Sequence, residues 1–110
     1  MTPCGRVNTD QFFATDSYRI HANGRARLQE FFRGSSAFAY TIVGHTDSRA
    51  SHEYNLRLSY NRAIAVAKVA ESVGAKIADV RGMGETAPVA PNSSVEGMAR
   101  NRRVEILCFQ

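Results

Sequence analysis

Asp47 and Arg62 pose the chemical question of this chain: a carboxylate in a polar loop, and a guanidinium fifteen positions later inside a helix-like pattern. One answer is a structural ion pair, with Asp47 or Glu53 near a helix N-terminus where the macrodipole favours negative charge. The other is a zwitterion clamp. A ligand carrying an ammonium and a carboxylate on one carbon would give the first to Asp47 and the second to Arg62. The planar fork of arginine meets a carboxylate through two parallel hydrogen bonds. Unpaired N–H groups at the start of the helix that follows would add donors for the same anion. Spacing alone leaves both answers open.

Other chemistries fit less well. His45, Asp47 and His52 carry metal-binding atoms, but all lie in one loop without helical His-x-x-x-His spacing or a nearby cysteine, so turn-stabilising polar groups are the simpler reading. Ser48, Ser51 and Ser59 lack a Gly-x-Ser-x-Gly elbow, and no enzyme activity is expected. Gly82-Met83-Gly84 leads into a proline loop with no helix read after it, which argues against a phosphate cradle and leaves no cofactor implied. The net charge of +4 comes from scattered arginines with one cluster, Arg100-Asn101-Arg102-Arg103. That pattern does not suggest nucleic acid.

The elements that must position Asp47 and Arg62 follow from periodicity. The 110 residues, 44% hydrophobic and 22% charged, read as a single domain spanning 1–110. A short strand is expected over residues 7–13, a loop over 18–23, and an amphipathic helix over 22–32 with Ala26, Leu28, Phe31 and Phe32 on one stripe. Residues 37–43 are β-rich and apolar on both faces, as for a central strand. Residues 55–73 give the strongest helix, with Leu56, Tyr60, Ala63, Ala67 and Ala70 as its buried face and Gly74 as its stop. Ile77 and Val80 suggest a short strand, Pro88 to Asn92 a loop, and residues 103–109 a closing strand. The order β-α-β-α-β-β predicts an α/β two-layer sandwich, its sheet mixed because no long helix separates the last two strands.

No apolar run reaches the ~18 residues of a membrane helix, and the segment starting at Met1 has no secretory h-region. Two cysteines, Cys4 and Cys108, stand at opposite ends. Buried reduced thiols and a disulfide both fit; a bridge requires the terminal strands to lie antiparallel side by side.

Ordered motifs then resemble a known family. Ile42-Val43-Gly44-His45-Thr46-Asp47, the run Tyr54 to Ala63 with its Leu58-Ser59-Tyr60-Asn61-Arg62-Ala63 step, Gly82-Met83-Gly84-Glu85 with Pro88 and Asn92, and Asn101-Arg102-Arg103-Val104-Glu105-Ile106 are similar to the signatures of OmpA-like C-terminal domains, of the OmpA, MotB and Pal type. The stretch 13–24 with Asp16-Ser17 fits more loosely. The resemblance implies a periplasmic domain, the C-terminal part of a longer envelope protein with an upstream leader, anchor or barrel. It would bind peptidoglycan non-covalently through the diaminopimelate of the stem peptide. The family's ligand-holding aspartate and arginine fall on Asp47 and Arg62, while Thr46, Asn55 and Asp16 match positions around the same pocket. The family often has a glycine soon after the aspartate; Arg49-Ala50-Ser51 occupies that loop here. An oxidising periplasm favours a Cys4–Cys108 bridge. The same fold also serves protein-interaction and dimerisation roles in stators and secretion assemblies, so a homodimer with a degenerate pocket is the alternative.

Overall fold

The strand that carries Asp47 at its end is the most buried of four. A computed structural model describes residues 2–110, so the leader reading at Met1 lies outside the described residues. The elements run β1 (Thr2–Asn8), α1 (Thr9–Phe12), α2 (Ala22–Gly34), β2 (Ala39–His45), α3 (His52–Ser72), β3 (Ile77–Gly82), α4 (Val95–Asn101) and β4 (Arg103–Phe109). The sheet order is β1-β4-β2-β3. β1 and β2 flank β4 antiparallel, and β3 runs parallel to β2 across the α3 crossover. This is the expected mixed sheet in an α/β sandwich. All seven residues of β2 are buried, as its apolar composition on both faces predicts. Tyr40, Ile42, Val104 and Ile106 face the helices and join Leu28, Phe32 and Val66 in one core.

Two glycines let α3 lie directly on the sheet. Gly44 and Gly82 are register partners on β2 and β3. A Cβ built at Gly44 would run into the Ser59 carbonyl, and one at Gly82 would lie 2.6 Å from the Tyr60 backbone nitrogen. Helix backbone therefore rests on strand backbone at Ser59 and Tyr60.

This seat explains a correction to the expected helix face. Ala63, Ala67 and Ala70 are buried as predicted, but Tyr60 is 45% exposed and Leu56 only half-buried. The first half of the buried stripe is polar instead: Asn55, Ser59 and Arg62. Contact with glycines leaves no hollow for a large apolar side chain, and Ser59 is satisfied locally. Its hydroxyl donates to the Leu56 carbonyl at 3.0 Å and accepts from the Gly84 N–H at 2.9 Å.

Two boundaries also differ. The strand expected over 7–13 is two elements, because the Asn8 side chain accepts from the Asp10 N–H at 3.0 Å and caps a one-turn helix. Helix α4 was not expected; it is seven residues long, contains Gly97, and buries only Gly97 and Asn101, so it shows no apolar period. Asn101 is fully buried and pins the proline loop with all four of its bonds: it accepts from the N–H groups of Val89 and Ala90 and donates to the Ala90 carbonyl and Asn92 Oδ1.

Antiparallel β1 and β4 bring the chain ends together, with Thr2 opposite Cys108. Cys4, at an irregularity between Pro3 and Gly5, is joined to Cys108 by a disulfide, the two Cα atoms 5.8 Å apart. Among the described residues, no helix is long and apolar enough to cross a membrane.

Candidate functional site

A cavity of about 510 Å³ opens where the C-terminal end of β2, the first half of α3, the loop after α1 and the end of α4 meet. Asp16, Thr46, Asp47, Asn55 and Arg62, the five residues singled out in the sequence, all line it. Asp10, Arg49, Tyr54 and Arg102 line it too; of these only Arg49 stood out in the sequence, as a departure in the loop after Asp47.

Asp47 and Arg62 are not each other's partners, so the structural ion pair is not what holds them. Asp47 is 5% exposed. Its Oδ1 accepts the Arg49 backbone N–H at 3.0 Å. Its Oδ2 takes three donors: Arg49 Nε at 3.1 Å, Arg49 Nη2 at 2.8 Å and Arg102 Nη1 at 2.6 Å. Burial pushes the carboxyl pKa up, but the Arg49 and Arg102 bonds outweigh it and hold Asp47 below the usual carboxylate value. Arg102 spans the site, its other nitrogens gripping Asp10 at 2.9 Å. Of the two clamp residues, only one therefore has its charge left uncommitted.

Arg62 is that one. The residue is 4% exposed, its guanidinium lies over the Phe13 ring at 5.4 Å, and Nε donates to the Ser17 carbonyl at 2.7 Å. Among the described residues it makes no ion pair. Burial lowers its pKa, opposed by Tyr54 and the charges of Asp16 and Asp10. A buried guanidinium held on one edge, with its outer nitrogens uncommitted beside a cavity, can accept an anion at little cost in reorganisation.

The remaining predicted residues shape the loop. Thr46 donates its hydroxyl to the Asp47 carbonyl at 2.8 Å, and Asn55 donates to the Arg49 carbonyl at 2.7 Å. Ser51 caps α3 by accepting the Tyr54 N–H. Asp16, exposed, sits at φ 52°. His45 points to the opposite sheet face, as strand alternation requires, with Nε2 3.6 Å from Glu105 Oε1. Burial and the positive Arg103 hold its pKa down, with Glu105 opposing them. His52 bonds Glu85 at 3.0 Å. His45, Asp47 and His52 thus do not converge on one point.

Ala50 takes φ 66°, a left-handed backbone that glycine adopts more readily than alanine. That conformation costs an L-residue about 1–2 kcal/mol, against which glycine's greater freedom when unfolded costs about 0.4–1 kcal/mol. Ala50→Gly is expected to be neutral or to stabilise by up to about 1 kcal/mol, read as a higher urea midpoint at unchanged slope.

Three comparisons agree with this architecture. Residues 12–102 match the model of the OmpA family. The chain is 36% identical to outer membrane protein A of Bordetella avium over 104 residues, covering 90% of this chain and 54% of that protein. It is 34% identical to the peptidoglycan-associated lipoprotein of Agrobacterium fabrum over 97 residues, covering 84% and 55%. It thus spans about half the length of these relatives. The solved cell wall anchor of the type VI secretion system from Pseudomonas aeruginosa superposes with a TM-score of 0.80 at 32% identity, covering 94% of this chain and 78% of that one. The strand–loop–helix that presents Asp47 and Arg62, the glycine seat beneath α3 and these matches together place the chain in the OmpA family.

Proposed function

We propose that this domain binds peptidoglycan non-covalently by its diaminopimelate stem peptide and so anchors a larger envelope protein to the cell wall. It works in the periplasm as a binding module without turnover. The observation that carries this reading is Arg62: a buried guanidinium without an ion-pair partner among the described residues, facing the same cavity as a buried carboxylate. The side chain of diaminopimelate ends in an amino-acid group, ammonium and carboxylate on one carbon, which matches Asp47 and Arg62 in charge. A stem peptide with lysine offers the ammonium alone and would leave Arg62 buried without its anion, a built-in selection. The names of the Agrobacterium and Pseudomonas relatives, a peptidoglycan-associated lipoprotein and a cell wall anchor, support peptidoglycan as the binding partner.

Two features would favour the alternative of a protein-interaction module, the Arg49-Ala50 loop and the basic cluster 100–103. In the fold that cluster disperses: Arg102 pairs with Asp10 and Asp47, and Arg103, 3% exposed, bonds Glu105 and the Ala87 carbonyl. Only Arg100 is left outward, so no basic docking face remains there.

Arg62→Ala and Asp47→Ala are expected to abolish co-sedimentation with diaminopimelate-type sacculi while leaving circular dichroism unchanged. Wild-type protein should not sediment with lysine-type sacculi. Full retention of both variants, or equal binding to both wall types, would refute the assignment.

A further inference from the structure

The cavity already contains a cation where the ligand's ammonium would sit. Arg49 lays its fork on Asp47 Oδ2 from two residues away, and this side chain is 66% exposed, against 7% for Asp47. Arg102 reaches the same oxygen but is 19% exposed and tied to Asp10 by two bonds, so it is fixed. Arg49 has no second side-chain anchor among the described residues. Its backbone is held separately, by its N–H on Asp47 Oδ1 and its carbonyl on Asn55 Nδ2. The side chain can therefore leave without the loop moving.

Resting on the binding reading above, we propose that Arg49 is an intramolecular competitor for the ammonium subsite, and that ligand capture exchanges its guanidinium on Asp47 for the ammonium of the guest. The charges around the cavity fit an exchange. Asp10, Asp16 and Asp47 face Arg49, Arg62 and Arg102, so the closed site is neutral. When Arg49 swings into solvent Asp47 loses one of its cations, which the arriving ammonium replaces at that oxygen while Arg62 receives the carboxylate. Arg49 thus sets affinity at the ammonium subsite. It does so from the solvent side, where it can be altered with little effect on folding.

Removing the competitor should tighten binding by about two- to fivefold, the scale of an exposed ion pair. The test is calorimetric titration of a muramyl tripeptide ending in meso-diaminopimelate into wild type, Arg49→Ala, Arg49→Gln and Arg62→Ala, each checked for folding by near-ultraviolet dichroism. Tighter binding by both Arg49 variants, with none by Arg62→Ala, supports the exchange. Equal or weaker binding by the Arg49 variants overturns it while the clamp stands, since Arg49 would then be idle or a ligand contact. No saturable binding by folded wild type or by the Arg49 variants overturns the clamp and the exchange together.

Discussion

Gly44→Val is expected to destabilise the domain by about 3 kcal/mol or more, seen as a urea midpoint far below wild type. The cause is backbone against backbone: a side chain at Gly44 meets the Ser59 carbonyl, which no rotamer change can move. Relief requires α3 to lift from β2 and β3. That would expose Ile42 and Val66, both fully buried, and break the Ser59 bond to the Gly84 N–H. Because Asn55 and Arg62 ride on the lifted half of α3, the variant should also lose ligand binding under conditions where it remains folded. Gly82→Ala acts on the same seat through Tyr60, and the two substitutions should couple rather than add. A Gly44→Val midpoint within error of wild type would show that the helix does not rest on the strands as described.

The second large effect concerns the disulfide. Cys4→Ser should cost about 2–5 kcal/mol and lower Tm by on the order of 10–20 °C. Cys4 and Cys108 are separated by 104 positions, so the bridge closes nearly the whole chain and restricts the unfolded ensemble strongly. Cys4 is the better site for substitution because it is exposed, whereas Cys108, 2% exposed, can stay behind as a small apolar core residue. Scanning calorimetry with and without reductant checks this: reductant should shift wild type to the Cys4→Ser value and leave the variant unmoved. The cavity lies at the opposite end of β4 from Cys108, so ligand affinity well below Tm should be unchanged.

What could be read in advance tracks how local each determinant is. β2, α3 and β4 announce themselves because an apolar run on both faces, a long alanine-rich period and an approximate alternation are properties of contiguous residues. The polar stripe Asn55–Ser59–Arg62 was missed as a buried face because its burial depends on glycines from two other elements, which a helical period cannot register. Helix α4 escaped for a related reason: it is held by the caps of Ser94 and the four bonds of Asn101, with hardly any apolar surface. At the site, Asp47 and Arg62 were selected by chemistry and by motif. Asp10 and Arg102 could not have been, since they join only when α1 and the end of α4 are packed together, 92 positions apart in the chain. Arg49 was visible as a departure in the loop, though its contact with Asp47 was not.

The staple between the first and last strands also decides how the domain carries load. A pull on the chain upstream of Cys4 cannot peel β1 from the sheet residue by residue, because the force passes through the covalent link into β4. From there it spreads across the hydrogen-bonded ladders on both sides of that strand. The strand would have to shear as a block rather than unzip, so under tension the grip on a ligand should fail before the fold does.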